Sequence, residues 1–239
     1  MIEFEGIVIR TTPFRDNDAM VSVLSNDKMW SFLARGVQKL TSKNGPSVNI
    51  YAHSRFVLSN GKDGLALRSG EMLESFPNAK SDLDCLAVLG FLSEATCKYV
   101  LGEDAPRLYD FLLKSLRLVN DGFEPYVVAL IYLAKVLEAS GYGLQVDNCV
   151  RCGQKRPIVA LSYNDGGFIC EDCFDGVFTS KYDARQLKII RYIFKVDVER
   201  FGQVSFEKEE TEKLLYDLIH FACDVYQTDI KSLSLLRKI

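Results

Sequence analysis

The sequence predicts an α+β chain in which a small N-terminal five-stranded barrel is followed by an all-helical body carrying a four-cysteine insert. Three observations predict it. Short β-branched and aromatic runs fill residues 1–76 and leave no room for crossover helices. Apolar residues recur at helical spacing on both sides of residues 146–180, and Cys149, Cys152, Cys170 and Cys173 stand as two Cys-x-x-Cys pairs. With 239 residues, 48% of them hydrophobic and 26% charged, the chain can bury a sizeable core without disulfides.

The strand-like runs are EFEGIVIR, AMVSVLS, KMWSFLARGV, SVNIYAHSRFVLS and GLALRSGEMLESF, separated by the turn segments TTPFRDND, ND, KLTSKNGP and NGKDG. Five such strands in so short a stretch fit a small antiparallel barrel. The OB-fold is a five-stranded barrel of that size and often binds nucleic acid. In VNIYAHSRFVL the even positions Val48, Ile50, Ala52, Phe56 and Leu58 are apolar, Ser54 excepted, while the odd positions carry Asn49, Tyr51, His53 and Arg55. Period-two alternation sends one face to the core and leaves the other with two flat rings and a guanidinium, groups that stack on bases and pair with phosphate. An exposed strand face with an incidental tyrosine gives the same pattern. Trp30 shares a face with Phe32 and Ala34, so it reads either as a second stacking ring or as core.

Beyond Pro77 the period changes to helical. The stretch 81–102 opens with Ser81 and Asp84 at capping-box spacing; a second helix is expected from about Ala105 to Val119 with Pro106 in its first turn, and a third from about Pro125 to Ser140. Helices resume near Asp183 with DARQLKIIRYIFKV and KEETEKLLYDLIHFACDVY, ahead of a basic tail, IKSLSLLRKI. The expected division is 1–78 for the barrel, 79–145 for the first helical part, 146–180 for the insert and 181–239 for the rest of the helical domain. The apolar run YVVALIYLA (126–134) is too short for a bilayer, and MIEFEGIVIRTTPFRDND lacks the layout of a signal peptide. The expectation is a soluble, cytoplasmic protein.

A reducing compartment disfavours disulfides, which leaves a redox dithiol or a metal site for the four cysteines. The redox reading explains one Cys-x-x-Cys pair and not the second. The spacing C-x2-C-x17-C-x2-C supplies a closed tetrahedral thiolate shell, and IVALSY–NDGG–FIC between the pairs reads as a hairpin that returns the second pair beside the first. A structural Zn2+ in a zinc-finger insert is therefore expected, with Cys149, Cys152, Cys170 and Cys173 as ligands. Cys85, Cys97 and Cys223 read as small core residues.

Net charge is −3, yet seven cations (Lys28, Arg35, Lys39, Lys43, Arg55, Lys62 and Arg68) face a single acid, Asp63, across residues 28–68. A locally basic surface on an acidic chain suits phosphate recognition, although a solvated face would look the same. With two histidines and no G-x-S-x-G, P-loop or G-x-G-x-x-G, the sequence offers no catalytic constellation, and no enzyme is expected.

The stretches GIVIRTTPFRDNDAMVSVLS and FLARGVQKLTSK near the start, and LEASGYGLQVDNCVRCG, VALSYNDGGFIC and DIKSLSLLRKI later, resemble the bacterial RecO family over nearly the whole chain. The resemblance implies a DNA repair and recombination mediator. Such a protein binds single- and double-stranded DNA, anneals complementary strands, works with RecR, and helps the recombinase RecA displace single-strand-binding protein. It also implies that the OB domain contacts DNA, here through Arg35, Lys39 and Lys43, although only Lys39 is basic in the Val37–Leu40 run where the family often carries several arginines. The family's helical domain receives the acidic C-terminal tail of single-strand-binding protein, for which Arg107, Lys114 and Arg117 share one side of the second helix. From the residues alone, a protein-interaction scaffold with a structural zinc site and an RNA-binding barrel remain alternatives.

Overall fold

The structure, a computed structural model, describes residues 1–61, 64–100, 102–177 and 179–232. Lys62 and Asp63 of the basic window, and the basic tail from residue 233 onward, lie outside the described residues. Two units are present: Met1–Gly122 with the segment from Lys231, and Phe123–Ile230.

In the first unit, β1 (Ile2–Phe14), β2 (Asp18–Ser25), β3 (Met29–Ala34), β4 (His53–Gly61) and β5 (Gly64–Glu74) close a barrel in the order β1–β2–β3–β5–β4. This is an OB-fold. Four pairings are antiparallel, but the closing one, at Leu33 and Ala66, is parallel. The all-antiparallel expectation is corrected at that seam, because parallel neighbours need a long connection, which residues 35–52 and β4 provide. Val21, Val23, Trp30, Phe32, Ala34, Phe56 and Leu58 alternate inward. Phe4 stacks on Trp30 with ring centroids 4.6 Å apart, and Phe56 lies 5.4 Å from Phe32. Phe32 and Phe56, fully buried, each contribute roughly 1.5–3 kcal/mol, while Phe4 is partly buried. Ile7, Val8 and Ile9 are all buried because both faces of the strand are covered: Val8 joins the barrel core, while Ile7 and Ile9 lie outside that cluster, where the Ser93 hydroxyl bonds the Ile9 carbonyl; a register shift follows between Val8 and Arg10.

The fourth strand is shorter than its hydrophobic pattern. Pro46–Val48 form a 3-10 turn, Tyr51 has a left-handed φ of 69°, and β4 begins only at His53. Pro46 has no N–H for a ladder, and the Asn49 N–H turns back to its carbonyl at 3.3 Å. Tyr51, His53 and Arg55 therefore do not share one strand face.

Helices α1 (Leu83–Tyr99) and α2 (Ala105–Asn120) complete this unit. Asp82, not Ser81, caps α1, accepting from the Cys85 N–H at 2.9 Å. The Ser81 hydroxyl is committed elsewhere, donating to the Asn78 carbonyl at 2.7 Å. Near the helix end the Glu94 carboxylate pairs with Lys98 at 2.7 Å and accepts the N–H groups of Lys231 and Ser232 at 3.0 and 2.8 Å.

In the second unit, α3 (Pro125–Ala139) is buried at every position from Tyr126 to Leu137. A helix apolar on all sides belongs in a core, and no helix among the described residues is long and apolar enough to cross a membrane. Its one buried cation, Lys135, reaches Glu138 at 2.8 Å and the Phe194 carbonyl at 2.9 Å. Strands β6 (Ile158–Ser162), β7 (Gly167–Cys170) and β8 (Ser180–Lys181) form a sheet ordered β7–β6–β8. Then come α4 (Ala184–Lys195) and α5 (Lys208–Tyr226), opened by capping boxes from Asp183 with Gln186 and from Glu207 with Glu210.

Burial raises the Glu94 pKa, but Lys98 and the two N–H donors outweigh it and hold it at about 2, below an ordinary value of 4.5. A depressed carboxylate stabilises the fold above its unfolded pKa, and that contribution disappears as pH falls from 4.5 towards about 2. Glu94→Gln should therefore cost about 1–2 kcal/mol in urea unfolding near neutral pH. The difference from the parent chain should vanish towards about pH 2.

Candidate metal centre and nucleic-acid interface

The four cysteines lie at the ends of a hairpin that crosses a preceding strand-like segment. Gln145 donates to the Gly166 carbonyl and accepts from Phe168 N–H, both at 2.9 Å, and Val150 N–H bonds the Phe168 carbonyl at 2.9 Å. Gly167 is required there, since a Cβ would run into the Gln145 backbone and come within 2.8 Å of the Val150 side chain. The first knuckle closes through Gly153, whose positive φ of 72° lets its N–H reach the Cys149 carbonyl at 2.8 Å. The second pair sits at the end of β7 and in the 3-10 turn Glu171–Cys173. Arg151 ties the loops together, bonding Asp165 at 2.9 Å, Asp175 at 2.7 Å and the Cys173 carbonyl at 2.9 Å.

All four sulfurs lie within 4.8 Å of one another, and those of Cys152 and Cys170 are 3.8 Å apart. A tetrahedron with metal–sulfur bonds of about 2.3 Å has edges of about 3.8 Å. The cluster could hold one metal ion. Burial pushes the Cys149 thiol up, but N–H donors from Cys170, Cys152 and Arg151 outweigh it and bring the thiol down to about 6. Cys173, hydrogen-bonded to the Cys170 and Cys152 sulfurs, is pushed up to about 12. Thiolates this close ionise together only when a cation shares their charge.

The basic residues expected to meet DNA fall on the 35–52 connection between β3 and β4. Its start is fastened to the β1–β2 turn, where Gly36 N–H bonds the Asp18 carboxylate at 2.8 Å and Gln38 N–H bonds the Asn17 carbonyl at 3.1 Å. Its far part is fastened to β5, where Asn44 accepts the Gly70 N–H at 3.1 Å. Arg35, Lys39 and Lys43 are exposed on this loop, and among the described residues none of the three forms an ion pair. Lys39 also lines a groove of about 610 Å³ with Leu40, Pro46 and Ile50.

The other expected contacts are placed differently. Arg55 is exposed, but its guanidinium is matched by Glu5 at 2.8 Å and Glu71 at 3.4 Å on the neighbouring strands. Tyr51 is half-buried, with the Lys80 ammonium 5.9 Å from its ring, and burial, with Cys97 nearby, lifts its hydroxyl to about 12. His53 is buried against the Tyr109 hydroxyl at 2.9 Å. Trp30 is core, its indole N–H bonding Asp27 at 3.0 Å. On α2, Arg117 is clamped by Glu74 at 2.8 and 2.9 Å, while Arg107 is exposed and Lys114 half-buried. Missing from the basic window is Arg15 at the β1–β2 turn, hidden in the sequence by Asp16 and Asp18 beside it; only its exposed place next to the Arg35 loop draws attention.

The family models for the N-terminal and C-terminal parts of recombination protein O match residues 1–76 and 80–234. The chain belongs to the RecO family. Among its relatives, the DNA repair protein RecO of Bacillus pumilus is 30% identical over 227 residues, covering 92% of this chain and 88% of that protein. That of Bacillus cytotoxicus is 30% identical over 225 residues, covering 93% and 90%. That of Halalkalibacterium halodurans is 26% identical over 225 residues, covering 93% and 88%. RecO is a family of DNA repair proteins, and the barrel and the four-sulfur cluster fall in the two matched parts respectively.

Elemental analysis of the purified chain should find one metal ion per molecule. Cys152→Ser combined with Cys170→Ser should abolish it and lower the thermal midpoint, because metal binding contributes to the folding of such a segment. A metal-free chain as stable as the metal-bound one would contradict the assignment.

Proposed function

We propose that this RecO-family chain is a non-enzymatic recombination mediator in gap and double-strand-break repair. It binds single- and double-stranded DNA in the cytoplasm, anneals complementary strands, and helps load the recombinase RecA onto DNA coated with single-strand-binding protein. Residues 1–78 supply the DNA-binding barrel; residues 79–145 and 181–239 form the helical domain that meets RecR and the acidic tail of single-strand-binding protein. Residues 146–180 form an insert held by one structural Zn2+ on Cys149, Cys152, Cys170 and Cys173. The all-thiolate donor set and sulfur spacing suit zinc in a closed, non-catalytic shell.

The observation that carries this reading is the state of the cations. Arg55, Arg117, Arg151, Arg156, Arg185, Arg191 and Lys195 are each matched by a carboxylate. Arg35, Lys39 and Lys43 stand exposed on one fastened loop with no such partner among the described residues. An unmatched cation gains most from a phosphate, since no internal ion pair must be broken first. Of the remaining candidates, Tyr51 closes the same loop and Arg55 flanks it on the barrel wall, both in secondary roles. With no nucleotide hydrolysis required, annealing follows from neutralising two strands so that they can approach.

The triple change Arg35→Glu, Lys39→Glu, Lys43→Glu should abolish single-strand binding and annealing at physiological salt while the fold, followed by circular dichroism, stays intact. In the parent chain, log affinity should fall linearly with log salt, and about 2 units of that slope should belong to these three residues at about 0.7 per phosphate. Arg55→Glu should change the slope little. Annealing that survives the triple change would instead favour a scaffold that acts through its protein partners.

A further inference from the structure

The barrel carries an aromatic ring whose position no basic pattern reveals. Tyr51 is half-buried, and Trp30 is 7% exposed inside the aromatic core. Among the described residues of the first unit, the one exposed aromatic side chain is Phe14, at 39%, the last residue of β1. The next residue, Arg15, holds a left-handed φ of 57° in the β1–β2 turn, a conformation uncommon for a non-glycine residue. Its guanidinium lies 5.0 Å from the Phe14 ring centroid, and it forms no ion pair among the described residues. Asp18, an acid at the same turn, is engaged by the Gly36 N–H. That bond, together with the one from Gln38 N–H to the Asn17 carbonyl, joins the hairpin tip to the loop of Arg35 and Lys39.

We infer that the Phe14–Arg15 hairpin tip is a stacking seat for an unpaired nucleobase, with Arg15 bonding the adjoining phosphate. The inference rests on the DNA-binding reading above and assigns it a second set of contacts. A ring and a guanidinium held together, one offering a π-face and the other a fork of donors, match a base and its phosphate in a single strand. A duplex offers no free base face there, so the seat favours unpaired strands. Trp30 cannot do this, because its ring faces are taken by Phe4 and by the Lys28 ammonium 3.9 Å from its centroid.

The test is anisotropy binding of the full chain to a labelled single strand and to its duplex across a salt series. Phe14→Ala should weaken single-strand binding about 5- to 160-fold, the range expected for losing one stacked base, while leaving duplex binding and the salt slope unchanged. Arg15→Gln should lower the single-strand slope by about 0.7. Phe14→Trp should retain affinity, and its added emission should be quenched by the single strand and not by the duplex. If the parent chain binds and the Arg35/Lys39/Lys43 variant does not, but Phe14→Ala binds like the parent, the hairpin assignment fails while the loop assignment stands. A parent chain that binds neither strand at low salt overturns both.

Discussion

Closing five short strands into a barrel requires a seam where two strands run parallel, and much of what the first unit offers a ligand follows from that seam. Parallel neighbours cannot be joined by a tight turn. The chain must leave β3, pass around the end of the barrel and run along β4 before β5 returns beside β3. Residues 35–52 make that passage, and a connection of this length outside regular structure commonly serves a function. What holds the seam is apolar: Phe4, Trp30, Phe32 and Phe56 fill the interior in contact with one another. The loop can then carry polar and charged side chains outward without weakening the barrel. It is nevertheless fastened at both ends, to Asp18 and Asn17 on one side and to Gly70 on the other. Fastening lowers the ordering cost of binding, because less loop entropy is lost when a ligand arrives.

Charge is distributed by a similar logic. A net charge of −3 would repel a polyanion unless the acids were matched locally. On the barrel wall Glu5 and Glu71 are matched by Arg55, and Glu74 is matched by Arg117. In the second unit Asp147 takes Arg191 and Lys195, while Asp165 and Asp175 share Arg151. These exposed pairs contribute little to stability, each about 0–1 kcal/mol. Their effect is on the field: they cancel locally and leave Arg35, Lys39 and Lys43 of the 35–52 loop, together with Arg10, Arg15, Lys28 and Arg68, as exposed cations of the barrel with no ion pair among the described residues.

The parts of the fold written in local chemistry were legible from the sequence. The β-branched runs, the helical periods and the paired cysteines around NDGG each specify their element within a few residues. The parts settled by contacts distant in sequence were not. Tyr51 looked like a strand residue because its neighbours alternate, but Pro46 and the bonds of Tyr51 and Ala52 to Val8 decide where β4 starts. Arg55 looked available because Glu5 lies 50 positions away. Ser81 looked like a cap because it precedes the right residues, whereas its hydroxyl had a nearer acceptor in Asn78. Arg15 was missed for the opposite reason: Asp16 and Asp18 offset its charge in any local sum, and only the fold shows an exposed guanidinium that forms an ion pair with neither among the described residues.

The insert is stabilised by a different force from the barrel. Its strands, at five, four and two residues, are too short to bury an independent core. Cys149 and Cys170 are fully buried, so the sulfurs occupy the place that apolar side chains fill in the barrel. Without a cation that centre is frustrated: N–H donors favour a thiolate on Cys149, and the same crowding disfavours one on Cys173. Arg151 does not relieve it, since its guanidinium is occupied by Asp165, Asp175 and a carbonyl rather than by sulfur. Those bonds hold the three loops at the distance at which four sulfurs nearly meet. The remaining step is to share the negative charge, which one metal ion held among the four sulfurs could do.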